Sequence, residues 1–172
     1  MSFSMLFCIV FTMGAVLFDC KWEKVPNLWI IAGLQISMAE HLSGEVIQGL
    51  GSAVIRFWGG IFLVLFLFFP LFLGKMIGTG DIKVLAVLGS VLGPQKILFC
   101  IVTAFLLGAV ESLFLLFFRC DWRQRFLYFF QYLQRAYVER SFPPYLVPGK
   151  RPENIHFTIP ILGSVLLLYL GG

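Results

Sequence analysis

The chain has 172 residues, of which 59% are hydrophobic and only 13% are charged, and its net charge is +4. This balance excludes an ordinary soluble domain, because too few polar residues remain to cover a surface in water. We also expect no nucleic acid partner, because the basic residues lie in loops beside apolar runs, where membrane topology explains them.

Apolar runs separated by charged residues, Gly or Pro predict about six membrane-crossing helices. The third and fifth runs reach the ~20 residues that a crossing helix needs, whereas the second and sixth are shorter. The runs cover residues 2–18, 28–42, 53–73, 82–93, 97–118 and 155–170. We expect an all-α membrane protein, in which these helices form a polytopic bundle and residues 1–172 form a single domain.

The first and fourth runs need separate comment. The first has the length of a signal peptide, but residues 1–5 contain no Lys or Arg and no small-residue cleavage site precedes Asp19, so we expect a retained span. The fourth, about 12 residues long, covers only roughly 18 Å of a hydrocarbon core about 30 Å thick. Its first residue must lie below the membrane surface unless the segment is re-entrant.

Lys and Arg residues are concentrated in the first, third and fifth loops, whereas the opposite side has Lys96, with Arg56 just inside the third run. The positive-inside rule places the odd loops in the cytoplasm and both termini outside the cell membrane. Because Asp19 ends the first run and Asp81 opens the fourth, both carboxylates are expected at the cytoplasmic face.

The segment at about 120–140 predicts an amphipathic helix on the cytoplasmic side. Its apolar residues, such as Trp122, Phe126 and Phe130, recur at helical spacing, while Arg123 and Arg135 lie on other faces. We expect this helix to bind anionic membrane lipids, with substrate guidance as the alternative.

The chemistry-bearing residues are few. The four cysteines form no CxxC pair, so we expect neither a zinc site nor a disulfide framework. Of the nine acidic residues, Asp19, Asp81 and Glu111 lie at membrane depth, where an ionisable group is costly and is a functional candidate. Each aspartate alone also has a structural explanation, Asp19 as the polar end of a span and Asp81 as a helix N-cap. Glu111 has no assigned role.

Asp19 and Asp81 as a pair predict hydrolysis by an activated water. Two carboxylates close together at low dielectric do not both ionise, so the pair holds one proton near neutral pH and titrates as a unit. The ionised partner then takes a proton from water while the protonated one polarises a scissile carbonyl. Because Gly78 and Gly80 lack Cβ, a substrate backbone approaches the turn before Asp81 closely.

Two segments resemble a known family. GTGDIK, residues 78–83, resembles the GxGD motif with its following Lys of the type IV prepilin and preflagellin peptidases. DCKWEKVPN, residues 19–27, resembles the first-aspartate segment of that family. A GxGD motif alone is a weak signal, but two matching motifs at corresponding run ends are a strong one.

The resemblance implies a membrane aspartyl endopeptidase that removes the basic leader of type IV pilin-like precursors, at a Gly before the precursor's hydrophobic helix. It implies Asp19 and Asp81 as the catalytic pair, with no metal and no cofactor. Lys21, Pro26 and Asn27 are implied to shape and orient the first loop, and Lys83 to pair with a carboxylate or a lipid phosphate. Gly78 and Gly80 are the glycines of the GxGD motif.

The first loop departs from the longer members of the family. Those enzymes carry a large cytoplasmic insertion with paired CxxC motifs and also methylate the new pilin N-terminus, whereas here the loop spans only residues 19–27. We expect the short, peptidase-only form, without methyltransferase activity. The alternatives are a small transporter or proton-relay subunit, with the carboxylates along a route across the membrane, and a non-catalytic assembly factor of a pilus or secretion machine.

Overall fold

The computed structural model describes residues 3–22, 24–48, 50–73, 77–118, 134 and 156–171, and over these residues its secondary structure is helical. The helices are α1 (Phe3–Trp22), α2 (Asn27–Gln48), α3 (Leu50–Leu73), α4 (Thr79–Phe118) and α5 (Thr158–Gly171). The prediction of an all-α chain is confirmed for this part. The predicted amphipathic helix at about 120–140 lies almost wholly outside the described residues.

The chain divides into two compact units. The first comprises Met1–Gly108 and His156–Gly172, and the second comprises Ala109–Ile155. The first unit contains α1, α2, α3, most of α4, and α5. In the second unit, residues 109–118 are helical and include Glu111.

Within the described part of the chain, three helices are long and apolar enough to cross a membrane, namely Phe3–Trp22, Gly51–Leu73 and Thr79–Phe114. The α5 helix is apolar but has only 14 residues. Large apolar side chains also face outward, such as Phe66 at 84% exposure, which suits a surface in lipid rather than in water. These are the features of a membrane protein, and the count of six crossing helices stays a prediction.

The α4 helix is interrupted at Gly93. This residue has a φ of 75° and a ψ of 173°, a conformation that glycine adopts at little cost. Pro94 follows it and has no backbone N–H with which to continue the helical hydrogen bonds. The break separates the predicted fourth and fifth runs, 82–93 and 97–118, so that α4 contains both.

The arm of α4 before this break runs through the core of the first unit. Leu85 and Leu88 are fully buried. Gly60 of α3 and Gly89 of α4 bring the two backbones into contact, because a Cβ built on Gly60 would overlap the Gly89 carbonyl group. Small residues permit such close packing of apolar helices. Asp81, one turn before Leu85, is therefore presented at the end of a buried helix.

Candidate active site

Asp19 lies near the C-terminal end of α1. The helix continues to Trp22, past the predicted end of the first run at residue 18, so the carboxylate projects from a helix rather than from a loop. Its Oδ2 atom accepts a hydrogen bond of 2.9 Å from Thr158 Oγ1 and lies 3.1 Å from His156 Nδ1. The side chain of Asp19 is 17% exposed and that of His156 is 27% exposed. The start of α5 and the residues just before it therefore hold Asp19.

Asp81 lies in the first turn of α4, where a carboxylate interacts favourably with the helix N-terminus. Its Oδ2 atom lies against Gly78, since a Cβ at that position would be only 3.3 Å away. The missing side chain of Gly78 therefore leaves room for the carboxylate. Asp81 is half-buried, and electrostatic interactions link it to Asp19 and to His156. The carboxylates of the two aspartates that the sequence singled out are therefore close enough to interact electrostatically.

The segment between α1 and α2 packs against the start of α4. Lys83 Nζ donates a hydrogen bond of 2.8 Å to Asn27 Oδ1. A Cβ on Gly80 would lie 3.9 Å from Val25 Cγ2, an ordinary contact. The two motif segments thus meet in space, and the described partner of Lys83 is an amide oxygen rather than a carboxylate.

The two remaining motif residues act on the local backbone and surface. The carbonyl of Pro26 accepts hydrogen bonds from the backbone N–H groups of Trp29 (3.1 Å) and Ile30 (3.4 Å). The ammonium of Lys21 lies 4.7 Å from the centroid of the Trp22 ring, a cation–π distance. Pro26 therefore fixes the start of α2, and Lys21 lies on an exposed aromatic face.

The acidic and imidazole groups of the site do not form a metal-binding geometry. Among the residues that the structure describes, no group of three or more His, Cys, Asp and Glu side chains is arranged to hold a metal ion. Among the described side chains, the acidic and imidazole groups at this place are the carboxylates of Asp19 and Asp81 and the imidazole of His156. The expectation of a site without metal or cofactor stays a prediction.

His156 and Thr158 were not among the site residues predicted from the sequence. They are 137 and 139 positions from Asp19 along the chain, so no local motif joins them to it. The position of His156 in the sequence could have indicated it. The chain has only two histidines, and this one lies at the start of the sixth apolar run, on the side of the membrane where both aspartates were expected.

Comparison with protein-family models finds a match to the type IV leader peptidase family over residues 5–115, which is more than half of the chain. The matched segment contains Asp19, Asp81 and all the supporting motif residues. His156 and Thr158 lie beyond it. The comparison with curated proteins and the comparison with solved structures each return no significant match.

Proposed function

Because this chain belongs to the type IV leader peptidase family, we propose that it is a membrane-embedded aspartic endopeptidase with Asp19 and Asp81 as its catalytic pair. The observation that carries the proposal is the packing of the two motif segments against each other, through the hydrogen bond of Lys83 to Asn27, which leaves the half-buried carboxylates of Asp19 and Asp81 close enough to interact electrostatically. Two neighbouring carboxylates of this kind hold a single proton between them near neutral pH.

The proposed reaction uses that shared proton. The ionised carboxylate takes a proton from a water molecule as the water oxygen attacks the carbon of the scissile peptide bond. The protonated carboxyl donates to the carbonyl oxygen and stabilises the charge that develops there. When the tetrahedral intermediate collapses, the carbon–nitrogen bond breaks and the leaving amine takes up a proton from the carboxyl that had received one from water. The hydroxyl formed from the carbonyl oxygen returns its proton to the other carboxylate as the new carboxyl group forms, so the pair again holds one proton.

The proposed substrate is a type IV pilin-like precursor. Such a precursor has a basic leader, which stays in water, followed by a hydrophobic helix, which partitions into lipid. Asp19 and Asp81 lie at the ends of Phe3–Trp22 and Thr79–Phe114, two helices apolar enough to cross a membrane. A bond at the junction of leader and helix would therefore lie at the same depth as the carboxylates. With the termini outside the cell membrane, this depth is the cytoplasmic boundary.

The short connection between the first two helices supports a peptidase-only enzyme. The α1 helix ends at Trp22 and α2 begins at Asn27, so residues 23–26 join them. This connection has no room for a large cytoplasmic insertion with paired CxxC motifs. We therefore expect leader cleavage without methylation of the new N-terminus.

The family match favours a peptidase over the transporter or proton-relay alternative. A non-catalytic assembly factor is distinguished by activity alone. The test is co-expression of the chain with several pilin-like precursors, with leader removal followed as a shift in precursor mass. We expect the wild type to release the leader and Asp19→Asn and Asp81→Asn to leave the precursor uncut. Processing by either variant at the normal rate would exclude the carboxylate pair, and failure of the wild type on every precursor would favour the assembly factor.

A further inference from the structure

Two side chains at the start of α5 bind the same oxygen of Asp19. Thr158 Oγ1 donates to Oδ2 over 2.9 Å, and His156 Nδ1 lies 3.1 Å from that atom. An ionised carboxylate only accepts hydrogen bonds, so the Nδ1 of His156 carries a hydrogen and donates as well. Oδ2 thus receives two donors, and none of the described hydrogen bonds reaches Oδ1.

Both donors are held in place by the fold. Thr158 is the first residue of α5 and is 1% exposed, and Ile161 in the same turn is fully buried. The carbonyl of His156 accepts a 3.0 Å hydrogen bond from the backbone N–H of Ile159, which ties it to the first turn of the helix. Because α5 packs along α1, the positions of the two donors relative to Asp19 are set before any substrate arrives.

The basic residues that the structure describes on the neighbouring elements have other partners or are exposed. On α4, Lys83 donates to Asn27. On α1, the ammonium of Lys21 lies over the Trp22 ring, and Lys24 in the segment that follows is exposed. None of these described contacts joins a lysine to the carboxylate pair.

The imidazole of His156, by contrast, is directed at one carboxylate. It contacts Asp19 directly, whereas only a through-space interaction links it to Asp81. Hydrogen bonds and positive charge directed at one carboxylate stabilise its ionised form, and a shared proton then resides on the other.

We propose that His156 and Thr158 are positioning residues that hold Asp19 by Oδ2, an inference that rests on the proposed function. Asp19 is then the proton acceptor of the carboxylate pair, and Asp81 is the proton donor. Oδ1 of Asp19 is then the oxygen that receives the proton from water. Neither His156 nor Thr158 needs to touch the substrate. Both lie outside the part of the chain that matches the family model, Thr158 at the start of α5 and His156 two residues before it.

The first test varies His156 in the full-length chain, reconstituted in lipid vesicles with a purified pilin-like precursor that the wild type cleaves. His156→Asn keeps an amide donor near the Nδ1 position but cannot become a cation, and His156→Leu removes the donor. We expect His156→Leu to lower kcat roughly 10- to 100-fold, the range for loss of a hydrogen bond to a charged group, with KM within about threefold. His41→Leu, on a histidine bound to a carbonyl of its own helix, is the matched control and should leave kcat unchanged.

His156→Asn gives the decisive pH readout. It should recover most of the kcat lost in His156→Leu, because the donor is restored. The acidic limb of its pH–rate profile should move to higher pH, because no positive charge then favours the ionised carboxylate at low pH. A purely structural role for His156 would not move this limb.

The second test varies Thr158. Thr158→Val keeps the shape and removes the hydroxyl, and we expect kcat to fall about 10-fold. Thr158→Ser should retain clearly more activity than Thr158→Val. Thr103→Val is the matched control, because the Thr103 hydroxyl donates to the Phe99 carbonyl within α4 (2.8 Å), and it should cleave at the wild-type rate.

Three results would overturn the proposal. The first is an equal loss of kcat in His156→Asn and His156→Leu with an unshifted pH profile. The second is wild-type activity in His156→Leu, and the third is equal activity in Thr158→Val and Thr158→Ser. If His156→Leu does not fold, as judged by its thermal midpoint, the pH profile of His156→Asn and the Thr158 pair decide. Failure of the proposed function is distinguishable, because the wild type itself would then leave the precursor uncut.

Discussion

Two carboxylates of the first unit, Asp19 and Glu40, have similar surroundings at first inspection. Each is half-buried, and each accepts a hydrogen bond from a hydroxyl on a neighbouring helix, Thr158 for Asp19 and Ser4 for Glu40. His156 contacts Asp19, and His41 follows Glu40 in the sequence. A carboxylate, a hydroxyl and a nearby histidine are therefore common to both places.

The two places differ in the other groups that surround the carboxylate. Asp19 interacts with Asp81 and contacts His156. Beside Glu40, the imidazole of His41 lies 3.1 Å from the backbone carbonyl of Ser37, and Glu40 Oε2 is buried with no hydrogen-bond partner among the described residues. The comparison shows that a hydroxyl bonded to a carboxylate can link two helices at either place. In the proposed mechanism, hydrolysis also requires the second carboxylate, which only Asp19 has beside it among the two.

The largest expected effect separates these two carboxylates by activity. Asp19→Asn should lower the rate of leader removal by about 10²- to 10⁴-fold, the range for loss of a general acid or base, whereas Glu40→Gln should stay within about twofold of the wild type. The measurement is the initial rate of precursor cleavage at equal enzyme concentration. A comparable loss in Glu40→Gln, with an unchanged thermal midpoint, would mean that the site extends to this second carboxylate.

A smaller effect is expected from crowding Asp81. In Gly78→Ala, the new Cβ would lie 3.3 Å from Asp81 Oδ2 and would displace the carboxylate, with an expected loss of about 10-fold in kcat. In Gly80→Ala, the Cβ would make an ordinary 3.9 Å contact with Val25, so the loss should be clearly smaller. Because Gly80 lies in the first turn of α4, alanine should also favour the helix by up to about 1 kcal/mol.

Cleavage kinetics and thermal unfolding of both glycine variants test this difference. If the two variants lose activity equally, the glycines do not act by leaving room for Asp81. They then act by giving the substrate backbone access to the turn.

The sequence predicted the parts of the site that local pattern determines. Asp19 and Asp81 were recognisable because each ends or opens an apolar run within a short motif, and the break at Gly93 was recognisable because Pro94 follows it. The end of α1 was predicted too early, because hydropathy falls at Asp19 while the backbone hydrogen bonds of the helix continue to Trp22.

The donors to Asp19 were missed for a different physical reason. His156 and Thr158 reach it through the packing of α5 along α1, which brings together residues far apart in the chain. Neither residue type is unusual at the start of an apolar helix, and Thr is common at helix starts for capping alone. Only the tertiary arrangement shows that their hydrogen bonds go to a carboxylate.

The third prediction concerns stability without activity. Ser4→Ala removes the hydroxyl donor to Glu40 and leaves the carboxylate with fewer partners, so the free energy of unfolding should fall by about 1 to 2 kcal/mol. Leader cleavage at a temperature where the variant is folded should match the wild type. A reduced cleavage rate at a temperature where the variant is fully folded would contradict the assignment of Glu40 to a helix–helix contact.

The smallest effect is expected at Lys83 and Asn27, whose 2.8 Å hydrogen bond joins the start of α4 to the start of α2. Because both side chains are exposed, water competes for each hydrogen-bonding partner. A double-mutant cycle with Lys83→Met and Asn27→Ala should therefore give a coupling energy of about 0.5 kcal/mol or less. The measurement is the free energy of unfolding of the wild type, the two single variants and the double variant. A coupling above about 1.5 kcal/mol would mean that lipid shields the pair from water. The motif lysine would then hold the first loop against Asp81 as strongly as Thr158 holds Asp19.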